Sequence, residues 1–232
     1  MSGPSAAFFD VDGTLVEGDI VRYGVEIRTA GMTPLLRRLW IAGFLPRVPW
    51  YLALDAVSRP AFQRAFYRLY RAVPPALLRE RAVALFHSYV EPRLYPAGME
   101  RILRHRGRGH RVVLVTGSLD PIVAPLAAHV RASDVIAARL EVESGVHTGA
   151  LAGPPLAGAE KAAAVAAYVR DHGLDAAACF AYADSADDLP MLESVGRAAA
   201  VNPDRRLARA ARARGWDVLE WRLGAANAPT AA

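Results

Sequence analysis

The chain has almost no lysine. Of its 28 lysine and arginine side chains, 27 are arginine and one is Lys161, set in "GAEKAAA" at 158–164. It has one cysteine, Cys179, which excludes an internal disulfide framework. No internal repeat is visible. No secretory pattern opens the sequence: "MSGPSAAFFDVDG" lacks a basic leader and its apolar run is too short, so a cytoplasmic protein is expected. The most apolar segment, "LLRRLWIAGFLPRVPWYLALDAV" at 35–57, is interrupted by Arg37, Arg38, Arg47, Pro46 and Pro49, which disqualifies it as a membrane span. The arginines carry no RNA-binding aromatic signature with them. They are spread along the chain, and the densest run, "RRLARAARARG" at 205–215, spaces them with alanine as a solvated helix would. Nucleic acid is therefore not expected as a partner, although the net charge is +5. An excess of Ala, Arg, Gly and Pro points to a mutational bias that replaces lysine with arginine wherever either works. A lysine that survives it needs a reason.

What is present is enough apolar material for a substantial core: 53% of 232 residues. "AAFFDVDGTLV" (6–16) is a buried strand running into a loop with acidic and small residues. "GHRVVLVTGS" (109–118), "AACFAYADS" (177–185) and, more weakly, "GRAAAVNP" (196–203) repeat the pattern. Helical stretches at 97–107, 120–131, 159–172 and 188–195 separate them. Alternation of this kind predicts an α/β fold with a doubly wound parallel sheet. Ligands then bind beyond the carboxyl ends of the strands, where the polar residues of these motifs lie. Residues 17–95 read as helices throughout and separate the first strand from the rest, which predicts an inserted helical cap. The core would then be 1–16 and 96–222, with 223–232 as a disordered tail. Within the cap, 35–57 reads either as the core of a helical bundle or as a membrane-facing, lipid-binding surface.

The chemistry lies at the strand ends. In "DVDGT", Asp10 and Asp12 fall on one face of a strand, where two carboxylates repel unless a cation relieves them. Hard oxygen ligands suit Mg2+, and Gly13 permits a sharp turn. "YADSADDLPML" adds Asp184, Asp187 and Asp188, of which Asp187 or Asp188 could equally cap the following helix. "VTGS" offers the Thr116 hydroxyl, Gly117, Ser118 and backbone N–H groups at a helix start, either a phosphate cradle or plain capping. Together these parts make a site for a phosphate and a metal, in which one carboxylate attacks phosphorus and another handles the leaving group's proton.

In their order and spacing, "DVDGT", "VTGS", the Lys161 of "EK" and "DSADD" resemble the four motifs of haloacid dehalogenase superfamily phosphatases. The helical insert after the first strand resembles the branch with a C1-type cap, subfamily IB, which includes phosphoserine phosphatases. The resemblance covers roughly 6–16 and 96–205. It implies Asp10 as nucleophile and Asp12 as general acid/base that also gives its backbone carbonyl to the metal. It implies Thr116, Gly117 and Ser118 as phosphate-binding residues, and Lys161 as the phosphate contact that steadies the nucleophile. Asp184 would be a side-chain metal ligand and Asp188 a second acidic residue of the metal shell. The resemblance implies a magnesium-dependent phosphatase acting on a small phosphorylated metabolite. One departure is Ala-Asp-Ser at 183–185, where phosphoserine phosphatases usually carry Gly-Asp-Gly. Asp19, nine residues after Asp10, stands where those enzymes meet the substrate ammonium, and is also a good opening for the first cap helix. For the substrate carboxylate, Arg64, Arg68 and Arg71 are available. Two alternatives stay open: a lipid-phosphate phosphatase whose cap makes peripheral membrane contact, and a non-catalytic binding protein on the same scaffold.

Overall fold

A computed structural model describes residues 4–18 and 20–224. Asp19, and residues 225–232 of the expected tail, lie outside the described residues. The chain opens with strand β1 (Ala6–Phe9), buried on both faces. Five helices follow: α1 (Ile20–Thr29), α2 (Pro34–Phe44), α3 (Val48–Val57), α4 (Arg59–Phe66) and α5 (Pro75–Leu85). Helix α6 (Pro96–Gly107) leads back to the sheet through β2 (Arg111–Leu119), α7 (Asp120–Val130) and β3 (Asp134–Ala138). A hairpin of β4 (Leu140–Glu143) and β5 (Val146–Leu151) comes next, then α8 (Ala159–Asp171), β6 (Phe180–Ala183), α9 (Leu189–Glu193), β7 (Arg197–Val201), α10 (Arg205–Arg214) and β8 (Asp217–Leu219).

The main sheet has the order β3-β2-β1-β6-β7-β8, and every pairing is parallel. The expected α/β fold with helices inserted between β1 and β2 is the observed one. Side chains of β1 alternate between two apolar layers. Ala7 and Phe9 pack toward the inserted helices, whereas Ala6 and Phe8 pack against Val165 and Met191. The chain leaves β1 and enters β2 on one side and β6 on the other, so the crevice at their carboxyl ends is a topological switch point.

Three parts of the structure differ from the sequence expectations. The β4–β5 hairpin was not anticipated. Its turn residues Ser144 and Gly145 both have positive φ, 49° and 80°, as a tight two-residue hairpin turn requires. The helix expected at 188–195 is a single 3-10 turn, Ala186–Asp188, followed by the short α9. The bundle-core reading of 35–57 holds for Phe44 and Tyr51, with Trp40, Val48 and Leu54 partly buried against the same core, whereas Leu35 (68% exposed), Leu39, Trp50 (56%) and Leu52 (60%) lie open. Among the described residues no helix is long and apolar enough to cross a membrane.

Candidate active site

Asp10 follows β1 directly and its N–H still donates to Tyr182 O of β6 (2.9 Å), so the carboxylate is carried by the sheet itself. The chain then turns back on itself, with Gly13 N–H and Leu15 N–H donating to Val16 O and Val11 O. Gly13 has φ +86°, and a Cβ there would fall 2.1 Å from Asp184 Oδ2. Only glycine allows both the turn and the approach of Asp184.

Lys161 lies in the first turn of α8, only 5% exposed. Its ammonium donates to Asp10 Oδ1 at 2.6 Å and to Asp188 Oδ2 at 3.0 Å. A cation at a helix N-terminus opposes the helix dipole. Here burial also works against the charge, but Asp10 and Asp188 outweigh it and raise the Lys161 pKa. The Thr14 hydroxyl lies 3.0 Å from Asp10 Oδ2 and 3.2 Å from Asp184 Oδ1, and can donate to one at a time.

Asp10, Asp184 and Asp188 each bring a carboxylate oxygen to within 4.8 Å of the others'. Burial, followed by the charges of Asp10 and Asp188, raises the Asp184 carboxyl to about 8. Burial raises Asp188 as well, against the pull of Lys161. Lys161 offsets only part of the repulsion among three carboxyls this crowded, and their donor atoms are all hard oxygen, so the set fits a divalent ion such as Mg2+. The Asp12 side chain is not among these three. Its Oδ2 accepts hydrogen bonds from the hydroxyls of Ser118 (2.7 Å) and Thr116 (3.2 Å). Burial and then Asp10 push the Asp12 carboxyl above its ordinary range, against hydrogen bonds from Ser118 and Tyr23.

Two expectations for these loops change. "TGS" lies within β2, one residue before α7 begins at Asp120, and Thr116 Oγ1 accepts from Ser118 N–H at 2.9 Å. The Thr116 and Ser118 hydroxyls therefore hold Asp12 rather than standing free as a helix-start cradle. The capping expected of Asp187 or Asp188 is done by Ser185, whose Oγ accepts from Asp187 N–H (3.3 Å). Asp187 points to solvent, and the Asp188 side chain makes no cap bond.

Three contributors were not found from sequence. Arg59 and Gln63 of α4 line the same cleft of about 160 Å³ as Asp10, Asp12, Gly117 and Lys161. Ser58 fixes their position: its hydroxyl accepts from Ala61 N–H (3.3 Å), starting α4 so that Arg59 and Gln63, four apart, share a face. A Cβ on Gly117 would come 2.1 Å from Gln63 Nε2 and 3.0 Å from Leu156 O, so a side chain here would push Gln63 out of its place. The third is Asp204. Its N–H donates to Asp184 O (2.9 Å) and its Oδ2 accepts from Ala186 N–H (2.8 Å), clamping the turn that carries Asp184. The arginines considered from sequence, Arg64, Arg68 and Arg71, line a separate cleft against Thr148 and Leu151 of the hairpin.

The profile of haloacid dehalogenase-like hydrolases matches residues 7–193. The chain belongs to that family. It is 32% identical to the inhibition of morphological differentiation protein of Streptomyces azureus, over 94% of this chain and 78% of that one. It is 30% identical to a phosphoserine phosphatase of Mycobacterium tuberculosis, over 94% of this chain and 71% of that one. A crystal structure of a Bordetella pertussis protein of unknown function superposes with a TM-score of 0.78 at 25% identity, covering 94% of this chain and 99% of that one. This haloacid dehalogenase-type hydrolase is thus a phosphatase of the phosphoserine-phosphatase-like kind, with its acidic cluster intact.

The raised Asp184 carboxyl has a consequence for stability. Its folded value of about 8 lies above the ordinary 3.8, so between these values the folded state keeps a proton that the unfolded state has lost. The stability this group contributes is complete below about pH 4 and is lost as pH rises toward 8. In chelator, the thermal midpoint of wild type relative to Asp184→Asn is therefore expected to fall from pH 5 to pH 8, and magnesium should reverse the fall. A difference independent of pH would contradict the raised carboxyl.

Proposed function

We propose that the chain is a magnesium-dependent phosphomonoesterase that cleaves a small organic phosphate through a phospho-Asp10 intermediate. The observation that carries this reading is the buried contact of Lys161 with Asp10 at 2.6 Å, beside the clustered carboxylates of Asp184 and Asp188. Asp10 attacks phosphorus, and the P–O bond to the alcohol breaks. The protonated Asp12, held by Ser118 and Thr116, gives its proton to the departing oxygen. In the second half, Asp12 takes a proton from the water that attacks the phospho-aspartate, releasing inorganic phosphate and restoring Asp10. Lys161 offsets the repulsion between the incoming phosphate and Asp10. Magnesium, held by Asp10, Asp184 and the Asp12 backbone carbonyl with Asp188 in support, would supply further charge neutralisation on the phosphoryl oxygens.

Arg59 adds a positive charge at the cap side of the cleft, which suits a substrate with a second anionic group, and the Mycobacterium tuberculosis relative is named for phosphoserine. Asp19 remains the proposed reader of a substrate ammonium. Hydrolysis of an aryl phosphate with magnesium and with excess chelator tests the core of this reading. Activity that survives the chelator overturns the metal assignment. No hydrolysis under either condition would favour the non-catalytic alternative.

A second reading concerns the cap surface. From Arg28 to Leu54 the sequence has no acidic residue, and it carries Arg28, Arg37, Arg38 and Arg47. The exposed Leu35 and Leu39 share α2 with Arg37 and Arg38, and the exposed Trp50 lies on α3 just after Arg47. Apolar side chains among arginines complement an anionic bilayer surface. The protein is expected to sediment with phosphatidylglycerol vesicles at low salt and to be released by high salt. Trp50→Glu should weaken this binding, and no sedimentation at low salt would remove the reading.

A further inference from the structure

This inference rests on the phosphatase reading above. Beside the catalytic cleft lies a second cavity of about 360 Å³, walled by Val21 of α1, Val48, Tyr51 and Leu52 of α3, and Phe62 of α4. Ile20 and Arg59 line both spaces, so they form the boundary between them. Apart from Asp55 and Arg59 the wall is apolar or aromatic. Those two side chains pair at 2.7 Å. Asp55, Asp12 and Asp10 favour the charged guanidinium, which stays protonated although burial works against it. The same guanidinium lies 5.7 Å from the centre of the Phe62 ring. The Arg59 guanidinium thus meets Asp55 and the Phe62 ring of the side cavity, while the charges of Asp12 and Asp10 reach it from the catalytic cleft. Leu52 is largely exposed, so the cavity reaches solvent at its outer lip.

At about 30 Å³ for each water-sized group, the catalytic cleft holds little more than a phosphoryl group and its nearest atoms, whereas the side cavity has room for roughly ten methylenes. We propose that this cavity receives the apolar part of the substrate, so that the phosphomonoester cleaved here carries a hydrocarbon group a few atoms from phosphorus. Arg59 then sits at the junction of head and tail, and Val48, Val21 and Leu52 set how long or wide the tail can be. No new bond chemistry is involved: the P–O bond that breaks is the one already assigned to Asp10 and Asp12.

The test is a homologous series of straight-chain alkyl phosphates, from ethyl to octyl, kept below their micelle concentrations. Burial of each methylene is worth at most about a fourfold gain. In wild type kcat/KM is expected to rise roughly two- to fourfold per carbon and then level off as the cavity fills. Val48→Trp occupies the cavity and should collapse the hexyl-to-ethyl ratio toward one. Val21→Phe, made independently, should do the same, and thermal midpoints near wild type show that either variant is folded. A flat series in wild type, or a rise untouched in both folded variants, overturns the proposal. Binding of the matching alkylphosphonates by calorimetry reads the cavity without turnover. Absent hydrolysis with chain-length-dependent binding would fail the catalytic reading alone, whereas flat binding would fail the cavity. Offering the octyl ester free, and then embedded in neutral phosphatidylcholine vesicles, separates a soluble amphiphile from a bilayer lipid as the source of the tail.

Discussion

Asp10→Asn is expected to lower kcat on an aryl phosphate by at least about three orders of magnitude, on the order of 4 kcal/mol of transition-state stabilisation. The substitution keeps the size of the side chain. It removes the charge that attacks phosphorus and that Lys161 meets at 2.6 Å, and leaves one neutral amide oxygen where the cluster had two carboxylate oxygens. Unfolding should not explain the loss. The Asp10 charge raises the carboxyls of Asp12, Asp184 and Asp188, so neutralising it relieves repulsion in the cluster. Lys161 loses the charge of one partner and keeps Asp188, and the two effects oppose each other. A thermal midpoint within a few degrees of wild type is therefore expected alongside the lost turnover. A freshly purified variant that retains a tenth of wild-type activity, with deamidation excluded by mass spectrometry, would remove Asp10 from the nucleophile's role.

That Asp10 can be singled out so early reflects how parallel sheets write themselves into sequence. β1, β2 and β6 are buried on both faces, so each reads as an unbroken apolar run, and the polar residue that ends the run marks the carboxyl end where ligands bind. The hairpin and β8 lack this signature. β4 and β8 are short and largely exposed, β5 alternates half-buried and buried positions without an apolar run, and "LEVESGVHTGAL" reveals itself only through its Ser-Gly turn. The cap side of the site is illegible for another reason. Arg59 is one of 27 arginines, it lies far along the chain from Asp10, and no local pattern separates it from Arg64 or Arg68. Only the packing of α4 over Gly117 brings it to the cleft. Segment 35–57 shows the reverse failure. Its apolar side chains suit either a core or an outer surface, and they divide: Phe44 and Tyr51 enter the core while Leu35, Leu39 and Trp50 lie on the outside of the cap, because hydrophobicity alone does not say which surface a side chain is built to meet.

Lys161→Arg is the sharper test, because it changes shape while keeping charge. An ammonium is compact and can sit between Asp10 Oδ1 and Asp188 Oδ2. A guanidinium is a planar fork that prefers bidentate contacts. In a cleft of about 160 Å³ shared with a phosphate, that fork must displace a carboxylate or the substrate. Turnover is expected to fall roughly 10²-fold or more, the scale seen when one preorganised electrostatic donor is lost. Sequence alone places this residue in an accessible cleft, where substitutions change stability by only about 0.5 kcal/mol. The structure corrects that expectation: Lys161 is buried between Asp10 at the sheet end and Asp188 in the 3-10 turn before α9. Overpacking such a position costs about 1–3 kcal/mol, so the thermal midpoint should drop by roughly 2–12 °C for a chain of this size. Lys161→Met separates the two demands. It has similar length without charge, so it should keep more of the stability lost to overpacking while losing at least as much turnover. Measuring kcat/KM and thermal midpoints for both variants decides between charge and shape. Near-normal turnover in Lys161→Arg would mean that the only lysine in the chain is there by accident of composition, and near-normal turnover in Lys161→Met as well would mean that the phosphate is steadied by another group.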